Sequence, residues 1–259
     1  MRVELLTGLL RHRRAIVLGA LATVTAAAWA YLLLGGRIEM EMMDMGGAAM
    51  LPTWSPTYGA LISIMWWVMM VAMMLPTAAP TVLLVTSLAW DRLANPKLVP
   101  TAALLFASGY LLVWCGFSLA ATLLQWSLDN AGLLSEKLAF ANAVLTSTVL
   151  IAAGVYQWTP LKDACLRHCR SPSEFLFRHL RLGLLGAVGT GVRHGLFCLG
   201  CCWMLMALLF VGGLMSLAWV GAIALFVLVE KTMPWGDRMS RFSGVLLILW
   251  GVANLVRMA

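Results

Sequence analysis

The sequence predicts an all-α protein, a polytopic transmembrane helix bundle of six to seven spans. Three observations carry that expectation. Of 259 residues, 62% are hydrophobic and only 11% charged, with a mean hydropathy of +0.90; that balance leaves too little polar surface to clothe a water-soluble domain and asks for a lipid solvent. The apolar residues fall into runs near the roughly 20 residues that one bilayer crossing needs. The Lys and Arg residues gather between those runs, mostly on one side of the resulting zigzag.

The first run, Ala15 to Leu34, follows Arg11, Arg13 and Arg14. A secretory signal begins the same way, but its apolar core is only about 7–15 residues, so this run reads as a retained anchor. Further runs lie at 59–88, 100–126, 138–158, 184–212, 214–230 and 242–257. The run at 59–88 is long enough to need a break. Pro76 and Pro80 are placed to supply it, since each removes a backbone donor and crowds the preceding turn. The run at 184–212 opens on Gly183, Gly186, Gly189 and Gly191 ahead of Arg193 and His194, which reads as a separate interfacial helix leading into a span. The last two runs are short. No repeat and no shift in composition marks a second domain, so residues 1–259 read as one transmembrane domain.

Charge orients the bundle. Arg2, Arg11, Arg13, Arg14, Arg92, Lys97, Lys162, Arg167, Arg170, Arg178, Arg181, Lys231, Arg238 and Arg241 fall on one side, against Arg37, Lys137 and Arg257 on the other. The positive-inside rule places the larger group in the cytoplasm. The amino terminus is then cytoplasmic, the membrane is a bacterial inner membrane, residues 35–58 form an outer loop and residues 159–182 a cytoplasmic loop whose cysteines stay reduced. The net charge of +7 is dispersed over these loops and reports topology and contact with lipid; it forms no stripe for nucleic acid.

Sulfur is the second theme. Ten of the 17 methionines lie between positions 40 and 74. The outer loop carries Met40, Met42, Met43, Met45 and Met50 beside Glu39, Glu41 and Asp44, where no core exists for them to fill. In "MWWVMMVAMML", a helical advance of about 100° per residue puts Met65, Met69 and Met73 on one stripe and Met70 and Met74 on the next. Thioethers fill gaps in any core, yet they also bind Cu(I) without deprotonation, and continuity with the outer methionines favours the second role.

The sharpest signal is "RHGLFCLGCCWMLM". His194, Cys198, Cys201 and Cys202 recur at spacings of three and four, which places imidazole and three thiols on one helical face with Met206 at its margin. Ionisable groups inside a span are costly and mark function. In "TPLKDACLRHCRSP", Cys165, His168 and Cys169 offer two or three ligands, suited to linear or trigonal Cu(I) and one short of a closed zinc site. Lone Cys115 reads as packing. Glu230 and Lys231 close the sixth run and are expected to pair at the interface, with Glu230 facing the bundle as the alternative. No phosphate-binding loop and no Ser-His-Asp arrangement is present, so catalysis is not expected.

At these residues the chain resembles a bacterial family of uncharacterised polytopic membrane proteins described as metal-binding proteins or copper chaperones. The likeness covers most of the chain after the first run and rests on "MWWVMMVAMMLPTAAP", "TPLKDACLRHCRSP", "HGLFCLGCCWMLM" and "EKTMPWG". It implies a metal-handling membrane protein. A weaker, purely chemical analogy links the outer methionines, the Met-x3-Met helix and the inner Cys/His loop to eukaryotic high-affinity copper transporters. The expectation is therefore a non-enzymatic Cu(I)-binding protein, with zinc as the other candidate metal. It passes copper from the outer methionines through the α-helical Cys/His face to the inner loop. A thiol-disulfide oxidoreductase using Cys198, Cys201 and Cys202 and an assembly partner that delivers metal to a copper enzyme are the alternatives.

Overall fold

The computed structural model describes residues 2–44, 54–92, 98–135, 138–179 and 183–257. The described residues are almost wholly helical: α1 (Arg2–Asp44), α2 (Pro56–Arg92), α3 (Val99–Asn130), α4 (Ala143–Tyr156), α5 (Pro160–Arg170), α6 (Pro172–His179), α7 (Leu184–Ala207), the single turn α8 (Leu209–Gly212), α9 (Leu217–Thr232) and α10 (Gly236–Val256). Five of these, α1, α2, α3, α7 running on into α8, and α10, contain stretches long and apolar enough to cross a membrane. Their outward faces carry Leu112, Leu119, Leu123, Leu246 and Leu249, while the inner faces meet in a large core and a smaller cluster around Phe106 and Phe175.

Several expectations need correction. Pro76 and Pro80 do not divide α2, which runs unbroken through both. The prolines withhold two amides from the helical ladder, and beside them the Met74 carbonyl takes hydroxyl hydrogen bonds from Thr77 and Tyr110. The glycines before Arg193 do not form a separate helix either; α7 is continuous from Leu184. Gly191 serves close approach instead. A Cβ at Gly191 would lie 2.0 Å from the Phe106 carbonyl oxygen, and one at Gly109 would lie 2.2 Å from that of Val188, so small residues let the α3 and α7 backbones nearly touch. Gly191→Ala is accordingly expected to cost about 1–3 kcal/mol through overpacking. Gly189→Ala, with nothing within 4 Å, should be neutral or gain up to about 1 kcal/mol of helix propensity; thermal unfolding in detergent compares the two.

The segment expected as an inner loop at 159–182 holds two helices, α5 and α6, and its position follows from the shortness of α4. The apolar run at 138–158 does not become helix at its start. Leu138 has φ 52°, Phe140 N–H donates to the Phe210 carbonyl at 2.8 Å, and Asn142 caps α4 by accepting from the amides of Val144 and Leu145. Fourteen residues remain, about 21 Å of helix. The chain therefore turns at Tyr156, whose hydroxyl donates to the Gly200 carbonyl, and α5 begins beside the middle of α7. Thr159 caps it by accepting from the Lys162 amide, with Pro160 in its first turn. The short final run is corrected too: α10 starts at Gly236 and spans 21 residues. At the other end α1 extends to Asp44, so residues 35–44 of the expected outer loop are helical; residues 45–53, with Met45 and Met50, lie outside the described residues.

A candidate thiol centre where five helices meet

The α7 residues grouped by their spacing all point into the protein. His194, Cys198, Cys201, Cys202 and Met206 are all buried. Met69, Met70, Met73 and Met74 on α2 are buried in the same core, and Met65 is half-buried against it. One hydrogen-bond relay joins the two helices: the Tyr110 hydroxyl on α3 lies 3.0 Å from the Met74 carbonyl and 3.0 Å from Cys198 Sγ.

The thiols point in two directions. Cys198 and Cys202 face α9, where the Lys231 ammonium lies 2.9 Å from Cys198 Sγ and 3.8 Å from Cys202 Sγ. Cys201 faces α5, with its sulfur 3.9 Å from that of Cys169. Both Cys201 and Cys202 donate to the Cys198 carbonyl, at 3.1 and 2.8 Å, the usual resting place of a helical thiol that holds a proton. Among the described residues no three His, Cys, Asp or Glu side chains converge as a ready-made metal site. The donors are arranged in pairs.

The residues of α5 separate into different roles. Cys165 packs on the bare face of Gly200, 2.7 Å from where a Cβ would stand, and burial pushes its thiol above the ordinary value. Hydrogen bonding to the Cys198 and Cys201 sulfurs holds the Cys169 thiol well above its own. His168 turns away, its ring stacked on Phe197 at 4.2 Å and its Nδ1 2.8 Å from the Ala164 carbonyl. His194 sits one turn before Cys198 among the rings of Phe106, Tyr110 and Phe175, and its Nδ1 has no hydrogen-bond partner among the described residues. Cys115 is half-buried on α3.

Glu230 and Lys231 do not pair with each other. Successive helical residues point about 100° apart, so Lys231 meets the thiols while Glu230 meets Lys162 of α5, Nζ to Oε1 2.6 Å, with both side chains fully buried. The contact is an ion pair and not an aligned hydrogen bond on the carboxylate. Gln157 extends it: its side-chain oxygen accepts from Lys162 and, at 3.1 Å, from Ser240 of α10. Sequence reasoning missed Tyr110 and Gln157 altogether and read Lys162 only as one of the charges that orient the bundle. The available signal was a Glu-Lys dipeptide at the end of an apolar helix, an expensive feature without partners.

The architecture thus defines a class: an all-helical bundle, with helices apolar enough to cross a membrane, built around a buried group of thiols and thioethers. The family follows from comparison. The model of the PpoB2 family, described as copper chaperone, matches residues 63–254, and the chain belongs to that family. No curated protein and no solved structure matches it. The matched region contains α2 from Ser63 onward and every thiol of the centre. Membership points to a function involving copper.

Proposed function

We propose that the protein is a single-domain protein of the bacterial inner membrane with six to seven spans, amino terminus in the cytoplasm, that binds Cu(I) at the α7 thiols and hands it on without catalysis. The observation that carries this reading is the placement of a buried ammonium against the sulfurs of Cys198 and Cys202. Lys231 is positioned to neutralise a thiolate there, so the pocket is fitted for anionic sulfur, which selects a soft monovalent cation. Cys198 and Cys202 are the first ligands. Met206, one turn further along α7, and the buried methionines of α2 supply the weaker thioethers that would bring the ion in. His194 stands one turn away as a further donor.

Charge supports the orientation. Arg170 pairs with Asp237, and Arg241 lies 3.5 Å from Asp163, which gathers the basic segments around α5 and the start of α10 at one end. Trp54 donates to Asp129 at 2.6 Å at the opposite end. Delivery to a copper enzyme and flux across the membrane use the same site; assays in sealed vesicles separate them. The site itself is tested by X-ray absorption at the copper edge on reduced, Cu(I)-loaded protein. A first shell of sulfur is the expected result, and a shell dominated by nitrogen or oxygen would overturn the assignment.

A further inference from the structure

Two thiols remain outside the Lys231 pocket, and they come from different helices. Cys201 is fully buried on α7, whereas Cys169 on α5 is half-buried, and their sulfurs are 3.9 Å apart. We infer that Cys169 and Cys201 form a second, two-thiolate Cu(I) site that bridges α5 to α7 and is the point at which the ion leaves for a thiol-bearing acceptor. The inference rests on the reading of Cys198 and Cys202 as the first site.

Redox chemistry separates the fates of this pair. A disulfide between them would need an oxidant, whereas binding an ion of fixed oxidation state needs none. Two metal–thiolate bonds of about 2.3 Å reach as far as about 4.6 Å end to end, so a separation of 3.9 Å admits an ion with a bent S–metal–S angle and a small opening makes it linear. Zinc in a structural site asks for four ligands, and among the described residues no three His, Cys, Asp or Glu side chains are grouped to hold one. Cys198 also hydrogen-bonds Cys169 but is engaged by Lys231, His168, the donor nearest in sequence, is committed to Phe197, and Cys165 to Gly200. The two remaining thiols suit an ion content with two soft ligands.

The position suits release. Cys201 follows Cys198 by three residues and precedes Cys202 by one, so it can exchange with either, while Cys169 is the one residue of these four that is not fully buried. The transfer is ligand exchange at constant oxidation state. As Cys201 loses its proton and bonds the ion, the Cys202–copper bond breaks and that sulfur takes a proton. Cys169 then replaces Cys198 in the same way. Two thiols are deprotonated and two reprotonated, and no electron moves. The acceptor repeats the exchange at Cys169.

The test uses the full-length, reduced protein in detergent, saturated with Cu(I) and challenged with the soluble Cu(I) chelator bicinchoninate. Wild type is expected to retain two ions per chain. Cys169→Ala and Cys169→Ser are each expected to retain one, still held by Cys198 and Cys202, and to surrender it to the chelator about tenfold or more slowly, the scale on which loss of a supporting ligand acts. Cys165→Ala and His168→Ala should behave as wild type. Wild-type stoichiometry and release in both Cys169 variants would overturn this inference and leave the first site standing. Failure of wild type to bind Cu(I) at all would instead overturn the functional reading beneath it.

Discussion

Replacing Lys231 with methionine is expected to shift the metal preference of the thiol centre toward Zn(II). Count charge in the pocket: two thiolates at Cys198 and Cys202 with one ammonium 2.9 Å from the nearer sulfur leave a net −1, which Cu(I) brings to zero and Zn(II) carries to +1. Without the ammonium the pocket holds −2. Zn(II) then neutralises it, and Cu(I) leaves a residual charge. Uncompensated charge is expensive where the dielectric is low, so the ratio of Cu(I) to Zn(II) affinity should fall at least about tenfold in Lys231→Met, which corresponds to about 1.4 kcal/mol. Lys231→Arg keeps the charge and should keep the preference. Competition titrations of the purified variants read the ratio directly; equal losses for both metals would mean that Lys231 is only a packing element.

The second large effect falls on stability. Lys162→Met leaves the fully buried Glu230 carboxylate without its charge partner, and removing one member of a buried pair costs about 3–5 kcal/mol. The double replacement Lys162→Met with Glu230→Leu removes both charges and should restore most of that loss, because apolar substitutes for a buried pair are often neutral or better. Thermal unfolding in detergent compares the three proteins. The pair also fixes α5 against α9, so Lys162→Met should expose Cys169 to a water-soluble maleimide faster than wild type. Unchanged unfolding in the single variant would show that this contact does not hold the helix in place.

Much of the centre was legible because helical arithmetic is local. Spacings of three and four put Cys198, Cys201 and Cys202 on one face without any knowledge of neighbours, and the same arithmetic aligned the α2 methionines. What lies between helices was not legible. Lys231 and Cys198 are 33 positions apart, and their meeting depends on how α9 packs against α7. The union of the inner Cys/His segment with the α7 thiols was hidden for a more specific reason. Hydropathy marks 138–158 as one span, yet the Asn142 cap starts the helix only at Ala143, and this loss of a turn lifts α5 to the level of Gly200. An asparagine inside an apolar run is a boundary signal that hydropathy overlooks. Likewise, the glycines of α7 looked like a helix break because glycine weakens helices, whereas the bare faces of Gly191 and Gly195 are what α3 packs into.

The account's central claim is that Cys198 and Cys202, backed by Lys231, hold copper. Its most direct test is the number of Cu(I) ions that reduced, detergent-purified protein retains against bicinchoninate, compared between wild type and Cys198→Ala/Cys202→Ala. The double variant is predicted to fold with unchanged helicity and to lose the ion held against α9. An undiminished copper content in that variant would contradict the claim.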